Sequence, residues 1–425
     1  MFTFYGGVAI MGLQRYKEVD GMLLQFRFKN FRSFANEAVL DLTATNIKEN
    51  ISSLIEKNGV KVLPLAAIFG ANASGKSNLF LAFKSMSDDV GGKYQSKRNP
   101  FITPYIFDKK IHEEPTEYEV CINIENKEYR YGFVRNQVKV FEEWLFCRNF
   151  SKNTKSKEKL IYYREGNNVT LGQINKTEAK ELAFLGSMVT DGQLIMTALG
   201  QREKSIYTVV YSMFKFDLIS IDFSDEMDEN IFGDCFVEFT CENPELLKEA
   251  ETLLNTIDPS IIGIEVKKEK DDKLNDIFKC YSVHLDSEGE KMYLPMESES
   301  GGTKKILAIA LSIIFALKAG MIVLVDELDS KMHPLVLRYI LQMFNNPEIN
   351  VGKGQLIFSS HNLVCLDSSD LRRDEIWFVE KENQKSTLFS LYDFKTTNES
   401  IRSDLSFGKH YLAGRFGAIP FQNQR

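Results

Sequence analysis

Alternation of apolar and polar residues is the clearest pattern in the first third of the chain. Residues 23–28 and 39–42 alternate with a period of two, and residues 118–140 do so around short polar turns before 141–148 extend the pattern. A period of two buries one face of a strand and leaves the other face polar. These segments therefore predict an antiparallel β lobe that contains a meander.

Continuous apolar runs form a second pattern, which predicts strands that are buried on both faces. They lie at 65–69, 321–325 and 355–359, and amphipathic helices are predicted after the first two, at 76–86 and 335–344. Strands that alternate with helices build mostly parallel sheets. The sequence therefore predicts an α/β fold with a mixed sheet beside the antiparallel β lobe.

Residues 166–259 carry apolar residues mainly at helical spacing and are predicted to form an insertion between two halves of one domain. Strands at 261–266 and 279–285 follow, and a helix is predicted from 299 to about 319. The polar stretch 88–100 predicts a mobile loop. Four regions result: an N-terminal extension outside the fold (1–21), the N-terminal half (22–165), the helical insertion (166–260) and the C-terminal half (261–425).

The loop between the first apolar run and its helix carries the strongest chemical signal. Gly70, Gly75, Lys76 and Ser77 satisfy the spacing G-x-x-x-x-G-K-[ST] of a phosphate-binding loop. The glycines let successive N–H groups point at phosphate oxygens, the lysine reaches the β- and γ-phosphates, and the hydroxyl can ligate Mg²⁺. Chance would give roughly 0.02 such matches in a chain of this length. The sequence therefore predicts nucleoside triphosphate binding.

Two adjacent carboxylates, Asp326 and Glu327, end the second apolar run. The first suits the ligand shell of Mg²⁺, and the second suits a base that orients and deprotonates water. The alternative is an acidic strand end that caps a helix. Because Lys76 lies upstream in a phosphate-binding loop, the pair favours nucleotide hydrolysis.

Residues 299–303 predict a second anion-binding helix N-terminus, since Ser300, Gly301 and Gly302 precede a helix. One chain needs only one such site for its own triphosphate, so this one is expected to serve the nucleotide of a neighbouring subunit. The alternative is an ordinary serine N-cap followed by glycines in a turn. His361 follows the third apolar run and is either a contact to the γ-phosphate or a structural histidine.

Composition narrows the class of protein without naming a substrate. The chain has 425 residues, of which 44% are hydrophobic and 26% charged, as in ordinary globular proteins. A formal net charge of −7 argues against a protein that coats nucleic acid, although it does not exclude a local basic groove. The six cysteines lack zinc-site spacing, and the apolar stretch 306–325 is interrupted at 318–320, which leaves it too short to span a bilayer. These features predict a cytoplasmic protein without a membrane segment.

The order of these signals resembles that of the ATP-binding-cassette type head. Strand, phosphate loop, long insertion, serine–glycine–glycine helix, aspartate–glutamate strand and strand-end histidine follow one another as in the branch that includes the SMC, RecF and OLD-type ATPases. Within that branch the sequence is most similar to bacterial AAA-family ATPases of abortive-infection and related anti-phage defence systems. The segments that carry the resemblance are 30–34, 70–78, 129–133, 143–145, 299–303, 326–334, 376–380 and 414–420.

The resemblance implies an ATPase that uses ATP and Mg²⁺. It assigns nucleotide contacts to Gly70, Asn72, Ser74, Gly75, Lys76, Ser77 and Asn78 in the loop and to Arg32 and Ser33 in the β lobe. It assigns the metal ion to Ser77 and Asp326, and the catalytic roles to Lys76, to Glu327 as the base and to His361 as the switch histidine.

The resemblance also implies a homodimer or a higher homo-oligomer through these heads. Ser300 and Gly302 would act across the dimer interface, and Asp329 would belong to the loop that couples the two sites. Two features depart from the pattern. Residues 101–108 offer no glutamine where the cassette's Q-loop lies, and the insertion is too short for a long coiled-coil arm.

Partners are the last expectation. OLD-type nucleases place an acidic TOPRIM domain after the head, whereas only about 45 residues follow Glu380 here, too few for such a domain. The resemblance therefore implies a sensor or scaffold ATPase of an anti-phage system that acts with a separately encoded effector, either a TOPRIM or HNH nuclease or a toxin. The alternative is a RecF- or SMC-like DNA-repair ATPase that clamps DNA. The meander, the tail and the acidic balance favour the first.

Overall fold

The structure is a computed structural model that describes residues 21–57, 59–94, 98–151, 154–172, 174, 176–200, 206–221, 244–270, 276–330, 332–366 and 370–393. Of the predicted extension 1–21, only Gly21 is included, and it already belongs to the first strand of the fold. The segment 414–420, which contributed to the family resemblance, lies outside the described residues.

The β lobe is an eight-stranded antiparallel sheet, as the period-two pattern predicts. Seven of its strands follow the order β11-β10-β8-β7-β6-β1-β2, and the short β9 pairs with β8. Their bounds are β1 (Gly21–Lys29), β2 (Ala38–Asp41), β6 (Thr116–Ile124), β7 (Lys127–Arg135), β8 (Val140–Ser151), β9 (Thr154–Lys155), β10 (Lys159–Glu165) and β11 (Asn168–Leu171). A two-stranded hairpin, β3 (Ile55–Lys57) and β4 (Val60–Val62), follows β2 in the chain and precedes β5.

The central sheet has six strands in the order β12-β16-β17-β5-β18-β19. Its members are β5 (Leu65–Phe69), β12 (Leu218–Ile221), β16 (Ile322–Val325), β17 (Gln355–Ser359), β18 (Ile376–Glu382) and β19 (Lys385–Ser390). The first five strands in that order run parallel, and β19 pairs antiparallel with β18. This mixed sheet beside an antiparallel lobe confirms the predicted fold class.

Helices and a small sheet complete the described structure. The α-helices are α1 (Lys76–Val90), α2 (Lys109–Glu113), α3 (Lys176–Met188), α4 (Ile195–Gly200), α5 (Ile206–Ser212), α6 (Pro244–Ile257), α7 (Gly301–Ala319) and α8 (Pro334–Asn345). The small antiparallel sheet consists of β13 (Gly263–Lys270), β14 (Asp276–Leu285) and β15 (Lys291–Pro295). Within the described part of the chain, no helix is long and apolar enough to cross a bilayer.

Two hydrophobic cores lie on opposite faces of the central sheet, because side chains alternate along each strand. On β5, Ala66 and Ile68 join the core that includes the β lobe and α1. Leu65, Ala67 and Phe69 join the core that includes α6, α7 and α8. All five side chains are buried, so the apolar run seen in the sequence corresponds to a strand covered on both faces.

The predicted insertion at 166–260 is more closely part of the head than the sequence suggested. Its first residues complete the β10–β11 hairpin, and β12 pairs in parallel with β16 at the edge of the central sheet. The Glu143 carboxylate of the β lobe accepts the N–H groups of Ile195 and Met196 at the start of α4. The described part of 166–260 therefore mixes strands and helices and contributes to both sheets.

The first residues of the polar stretch 88–100, for which the sequence predicted a mobile loop, belong to α1. Helix α1 continues to Val90, and its Asp89 is buried in an ion pair with the buried Arg135 of β7 (2.7 Å). Asn99 donates to the same carboxylate at 2.9 Å. The last turn of α1 is thus fixed to the β lobe by charge-assisted hydrogen bonds.

Candidate functional site

The phosphate-binding loop connects β5 to α1 in the strand–loop–helix context that the sequence predicted. Gly70 (φ 156°) and Gly75 (φ 115°) adopt backbone conformations that favour glycine. A Cβ on Gly70 would lie 2.4 Å from the carbonyl oxygen of Val379, so a side chain there would collide with β18. These two glycines allow the loop to turn tightly above the carboxyl ends of the parallel strands, which is the shape that an anion-binding loop requires.

Lys76, the first residue of α1, points back into the loop. Its Nζ donates to the carbonyl oxygens of Gly70 (2.9 Å) and Ala71 (3.2 Å). Burial lowers the pKa of this ammonium group, while the negative charges of Asp326, Glu327 and Asp329 act in the opposite direction. The only lysine of the motif therefore lies between the loop and the group of carboxylates that follows β16.

Asp326 and Glu327 follow β16, and both are bonded to Ser359 at the end of β17. The Ser359 hydroxyl donates to Asp326 and accepts the backbone N–H of Glu327 at 2.7 Å. Asp326 is buried, whereas the Glu327 side chain reaches solvent. Glu327 has a φ of 54°, a left-handed conformation that is unfavourable for a residue with a Cβ. The Ser359 hydroxyl thus holds the Asp326 carboxylate and the Glu327 backbone, and the two carboxylates lie in different environments.

Asp329 and His361 close this group of side chains. The backbone N–H of His361 donates to Asp329 Oδ2 at 3.1 Å, and His361 Nε2 lies 3.6 Å from Glu327 Oε1. The buried Asp329 Oδ1 has no hydrogen-bond partner among the described residues. The structure thus brings together Lys76, Asp326, Glu327, Asp329 and His361, which the sequence had singled out separately.

Sequence reasoning missed Ser359, which joins the two acidic residues. The signal was present, because Ser359 and Ser360 interrupt an apolar run directly before the candidate histidine. Polar residues at the end of a buried parallel strand lie at the edge where such sheets bind ligands. A serine at that place is therefore a candidate site residue on position alone.

Residues of the β lobe reach the loop from the other side. Asn78 Nδ2 donates to the Ser33 hydroxyl at 2.8 Å, so the predicted neighbourhood of Ser33 and the loop is real. Arg32 has a φ of 50°, and its guanidinium lies 5.8 Å from the Phe31 ring centroid. The backbone N–H of Arg32 donates to the Thr103 carbonyl at 2.6 Å. Segment 101–108, which lacks the Q-loop glutamine, thus contacts this turn through backbone atoms.

The remaining loop residues differ in exposure. Asn72 and Ser77 are exposed, and Ser74 is buried with a hydroxyl that has no hydrogen-bond partner in the described part of the chain. A solvent-facing Ser77 hydroxyl and the Asp326 carboxylate are oxygen ligands of the kind that Mg²⁺ prefers. The Ser74 hydroxyl and Asp329 Oδ1 are buried and have no hydrogen-bond partner among the described residues, and Lys76 is held by carbonyl oxygens. Together these groups fit a site for a phosphate-bearing ligand with its cation.

The predicted second anion site lies at the start of α7. Ser300 caps the helix by accepting the Thr303 N–H at 3.1 Å. A Cβ on Gly301 would meet no described atom within 4 Å, and one on Gly302 would meet only the Ser300 hydroxyl. The preceding Glu299 is held by the Ser282 hydroxyl (2.5 Å) and by His284 Nε2 (2.6 Å). The residue before the helix is thus held by hydrogen bonds, whereas the space beside Gly301 is open.

A phosphate loop after β5, with an aspartate–glutamate pair after β16 and only β17 between these two parallel strands, is the arrangement of a P-loop ATPase. A model of the family described as "AAA domain, putative AbiEii toxin, Type IV TA system" matches residues 65–165 and 237–367. The matched segments cover more than half of the chain and include Lys76, Ser300, Asp326, Glu327 and His361. The chain belongs to this family. Comparison with proteins of curated function returned no match.

Solved structures of SMC heads are similar to the chain over most of its length. The SMC head bound to the C-winged helix domain of ScpA is 14% identical, with 87% of this chain and 97% of that chain covered and a TM-score of 0.43. An SMC head with an extended coiled coil, bound to the C-terminal domain of ScpA and derived from Pyrococcus furiosus, is 12% identical, with 87% and 96% covered and a TM-score of 0.43. The SMC head domain from Thermotoga maritima is 13% identical, with 87% and 98% covered and a TM-score of 0.37.

Proposed function

We propose that this ATPase binds ATP at the loop Gly70–Ser77 and hydrolyses it with Mg²⁺. The observation that carries the proposal is the Ser359 bridge, which holds Asp326 and Glu327 beside the buried Lys76. A phosphoryl-transfer site needs positioning and charge neutralisation more than covalent chemistry. These side chains supply both at one edge of the central sheet.

In this proposal the residues divide the work by environment. Lys76 leaves the carbonyls of Gly70 and Ala71 and donates to phosphate oxygens instead, and Ser77 and Asp326 hold the metal ion. Mg²⁺, when bound, neutralises charge on the phosphates. The exposed Glu327 orients a water molecule and accepts its proton. His361, at 3.6 Å from that carboxylate, can donate to the γ-phosphate and keep Glu327 in place.

A second copy is proposed to complete the site through Ser300 and Gly302. The hydrogen bonds of the Ser300 hydroxyl stay within the first turn of α7, and a Cβ on Gly301 would meet no described atom within 4 Å. N–H groups at the start of a 19-residue helix, together with its dipole, favour a phosphate group. Asp329, whose buried Oδ1 has no described partner, lies between this interface and the catalytic residues in the proposal.

Steady-state ATP hydrolysis and equilibrium nucleotide binding test the proposed chemistry. Glu327→Gln should keep ATP affinity and lose about 10²- to 10⁴-fold in kcat, because it removes the general base. Lys76→Ala should lose ATP binding itself. Glu382→Gln, at the exposed end of β18, is the matched control and should behave as wild type. Unchanged kcat in Glu327→Gln would remove that residue from the role of base.

We propose further that the ATPase is the sensor or scaffold of an anti-phage defence system and acts with a separately encoded nuclease or toxin. The sequence resemblance supports this role, and the family description refers to a putative AbiEii toxin of a type IV TA system. Nucleotide-dependent closure of two heads would give such a partner two states to distinguish. We propose that the protein acts in the cytoplasm, where ATP is available.

Co-expression tests the partner. With the product of the adjacent gene the protein should form a stable complex, and phage protection should require both genes and an intact Lys76. DNA cleavage by the purified ATPase alone, or protection that survives deletion of the neighbouring genes, would contradict the proposal. Salt-dependent binding of duplex DNA that is strengthened by ATP would favour the RecF-like clamp in its place.

A further inference from the structure

A row of side chains from three distant segments lies against the phosphate-binding loop. Ser386, in β19, is 2% exposed, and its Oγ lies 2.5 Å from the carbonyl oxygen of Ser74 and 2.7 Å from Ser33 Oγ. Its backbone N–H donates to the Ser33 carbonyl at 2.8 Å. Asn78 in α1 donates to the same Ser33 hydroxyl. The nucleotide roles described above use Ser33 and Asn78 but leave Ser386 unassigned.

The chemistry of these groups fixes the direction of the hydrogen bonds. A backbone carbonyl can only accept, so the Ser386 hydroxyl donates its proton to Ser74. The Ser33 hydroxyl must then supply the proton between the two serines, and it accepts from Asn78. The row is therefore a one-way chain from Asn78 through Ser33 and Ser386 to the Ser74 carbonyl, with each hydroxyl used once as a donor.

This chain holds one peptide group of the loop. A trans peptide is planar, with its C=O and N–H on opposite sides. When Ser386 fixes the Ser74 carbonyl, it also turns the N–H of Gly75 away from Ser386. A Cβ on Gly75 would lie 2.5 Å from Ser386 Oγ and 2.7 Å from Ser33 Oγ, so the two hydroxyls pack directly on the loop backbone. The Ser74–Gly75 peptide is thereby held in one orientation.

We propose that Ser386 is a positioning residue for the triphosphate, an inference that rests on the ATPase function proposed above. By holding the Ser74–Gly75 peptide, it keeps the Gly75 N–H oriented for phosphate oxygens and sets the start of α1. Strand β19, which lies outside the segments that carry the family resemblance, thus belongs to the nucleotide site. Because this orientation is fixed before ATP binds, it stabilises the bound substrate and the transition state equally. Its loss therefore raises KM and leaves kcat nearly unchanged.

The experiment compares Ser386→Ala with Ser390→Ala. Ser390 lies in the same strand, is also buried at 4% exposure, and bonds to Ile376 and Tyr392 instead of the loop. Ser386→Ala should raise KM for ATP, and Kd for a fluorescent ATP analogue, about tenfold, with kcat within about twofold. Ser390→Ala should match the wild type in both. Ser386→Thr keeps the hydroxyl and should restore the affinity.

A double-mutant cycle provides the second measurement. Because Ser33 acts through Ser386, Ser33→Ala combined with Ser386→Ala should weaken ATP binding no more than the weaker-binding single variant does. Ser33→Ala alone, which should also raise Kd for ATP, keeps the inference testable if Ser386→Ala unfolds. Equal KM and Kd in Ser386→Ala and Ser390→Ala, in a wild-type protein that hydrolyses ATP, would overturn the positioning role and leave the ATPase intact. A wild-type protein without ATP binding would overturn both.

Discussion

At the level of single residues, two strained backbone positions lie at the nucleotide site. Ala73 (φ 62°) in the loop and Glu327 (φ 54°) beside the sheet adopt the left-handed conformation, which costs about 1–2 kcal/mol for a residue with a Cβ. For Glu327 the bond from its N–H to Ser359 offsets part of that cost. Such outliers persist where the surrounding structure holds them and a function uses them. The proposed base is therefore set by its backbone before any ligand arrives.

The buried Glu375, at the start of β18, makes stability depend on pH. Burial raises its pKa from 4.5 to about 8, although the N–H of Arg372 bonds to it at 2.8 Å. Between these values the folded state binds more protons than the unfolded state, so the free energy of unfolding falls as pH rises from about 4.5 to about 8. Glu375→Gln should flatten this part of the stability–pH profile, measured by urea unfolding at several pH values. Glu382→Gln, at an exposed site, should leave it unchanged, and an equal slope in Glu375→Gln would contradict the assignment.

At the scale of elements, the sequence predicted those that are long or carry a motif. The runs that became β5 and β16 are fully apolar, β17 has an apolar centre, and α7 and α8 combine an N-cap with helical spacing, so local pattern was enough. Strand β12 was missed because its four residues, Leu218–Ile221, lie in a stretch of mainly helical spacing. Its place is decided by pairing with β16, about 100 residues away, and no local pattern encodes that contact. The role of Ser386 was missed for the same reason, because its contacts with Ser33 and Ser74 join segments that are distant in the sequence.

The first turn of α7 allows helix capping and phosphate binding to be separated. Aspartate caps a helix as well as serine does but repels a phosphate, whereas alanine loses the cap at about 1 kcal/mol. In the Glu327→Gln background, Ser300→Asp should therefore unfold at the temperature of its parent yet lose ATP-dependent association in analytical ultracentrifugation. Ser300→Ala should lose stability as well. Ser52→Asp, at an exposed serine outside α7, should leave association intact. Association that survives Ser300→Asp would exclude a shared site at this helix.

At the scale of the whole molecule, Gln355 joins the β lobe to the central sheet. Its side-chain oxygen accepts the Leu23 N–H at 2.8 Å, and its amide donates to the carbonyls of Leu23 (3.0 Å) and Leu63 (3.2 Å). Gln355 is buried, and one hydrophobic core contains residues of both the lobe and the sheet. A buried amide whose partners span the boundary ties the two parts into one cooperative unit.

The two tryptophans test that unity, because Trp144 lies in the lobe and Trp377 in the central sheet. In Trp377→Phe, fluorescence of Trp144 should unfold at the same temperature as the far-UV circular dichroism signal, and Trp144→Phe should behave likewise for Trp377. ATP at about 100 times its Kd should stabilise both by about 2.7 kcal/mol, and Lys76→Ala should remove this shift. A lobe transition that precedes the circular dichroism transition would show that the two parts unfold separately.

The position of β5 between β17 and β18 has a consequence for how the protein is made. Both neighbours of this strand leave the ribosome roughly 290 residues or more after it, which at about 5–20 residues per second is roughly 15–60 s of synthesis. Throughout that interval five apolar residues and the loop after them lack the strands that flank them in the sheet. The β meander, whose strands are neighbours along the chain, can form at once. The nascent protein therefore exposes an apolar strand for roughly 15–60 s, a period in which a chaperone can affect its yield.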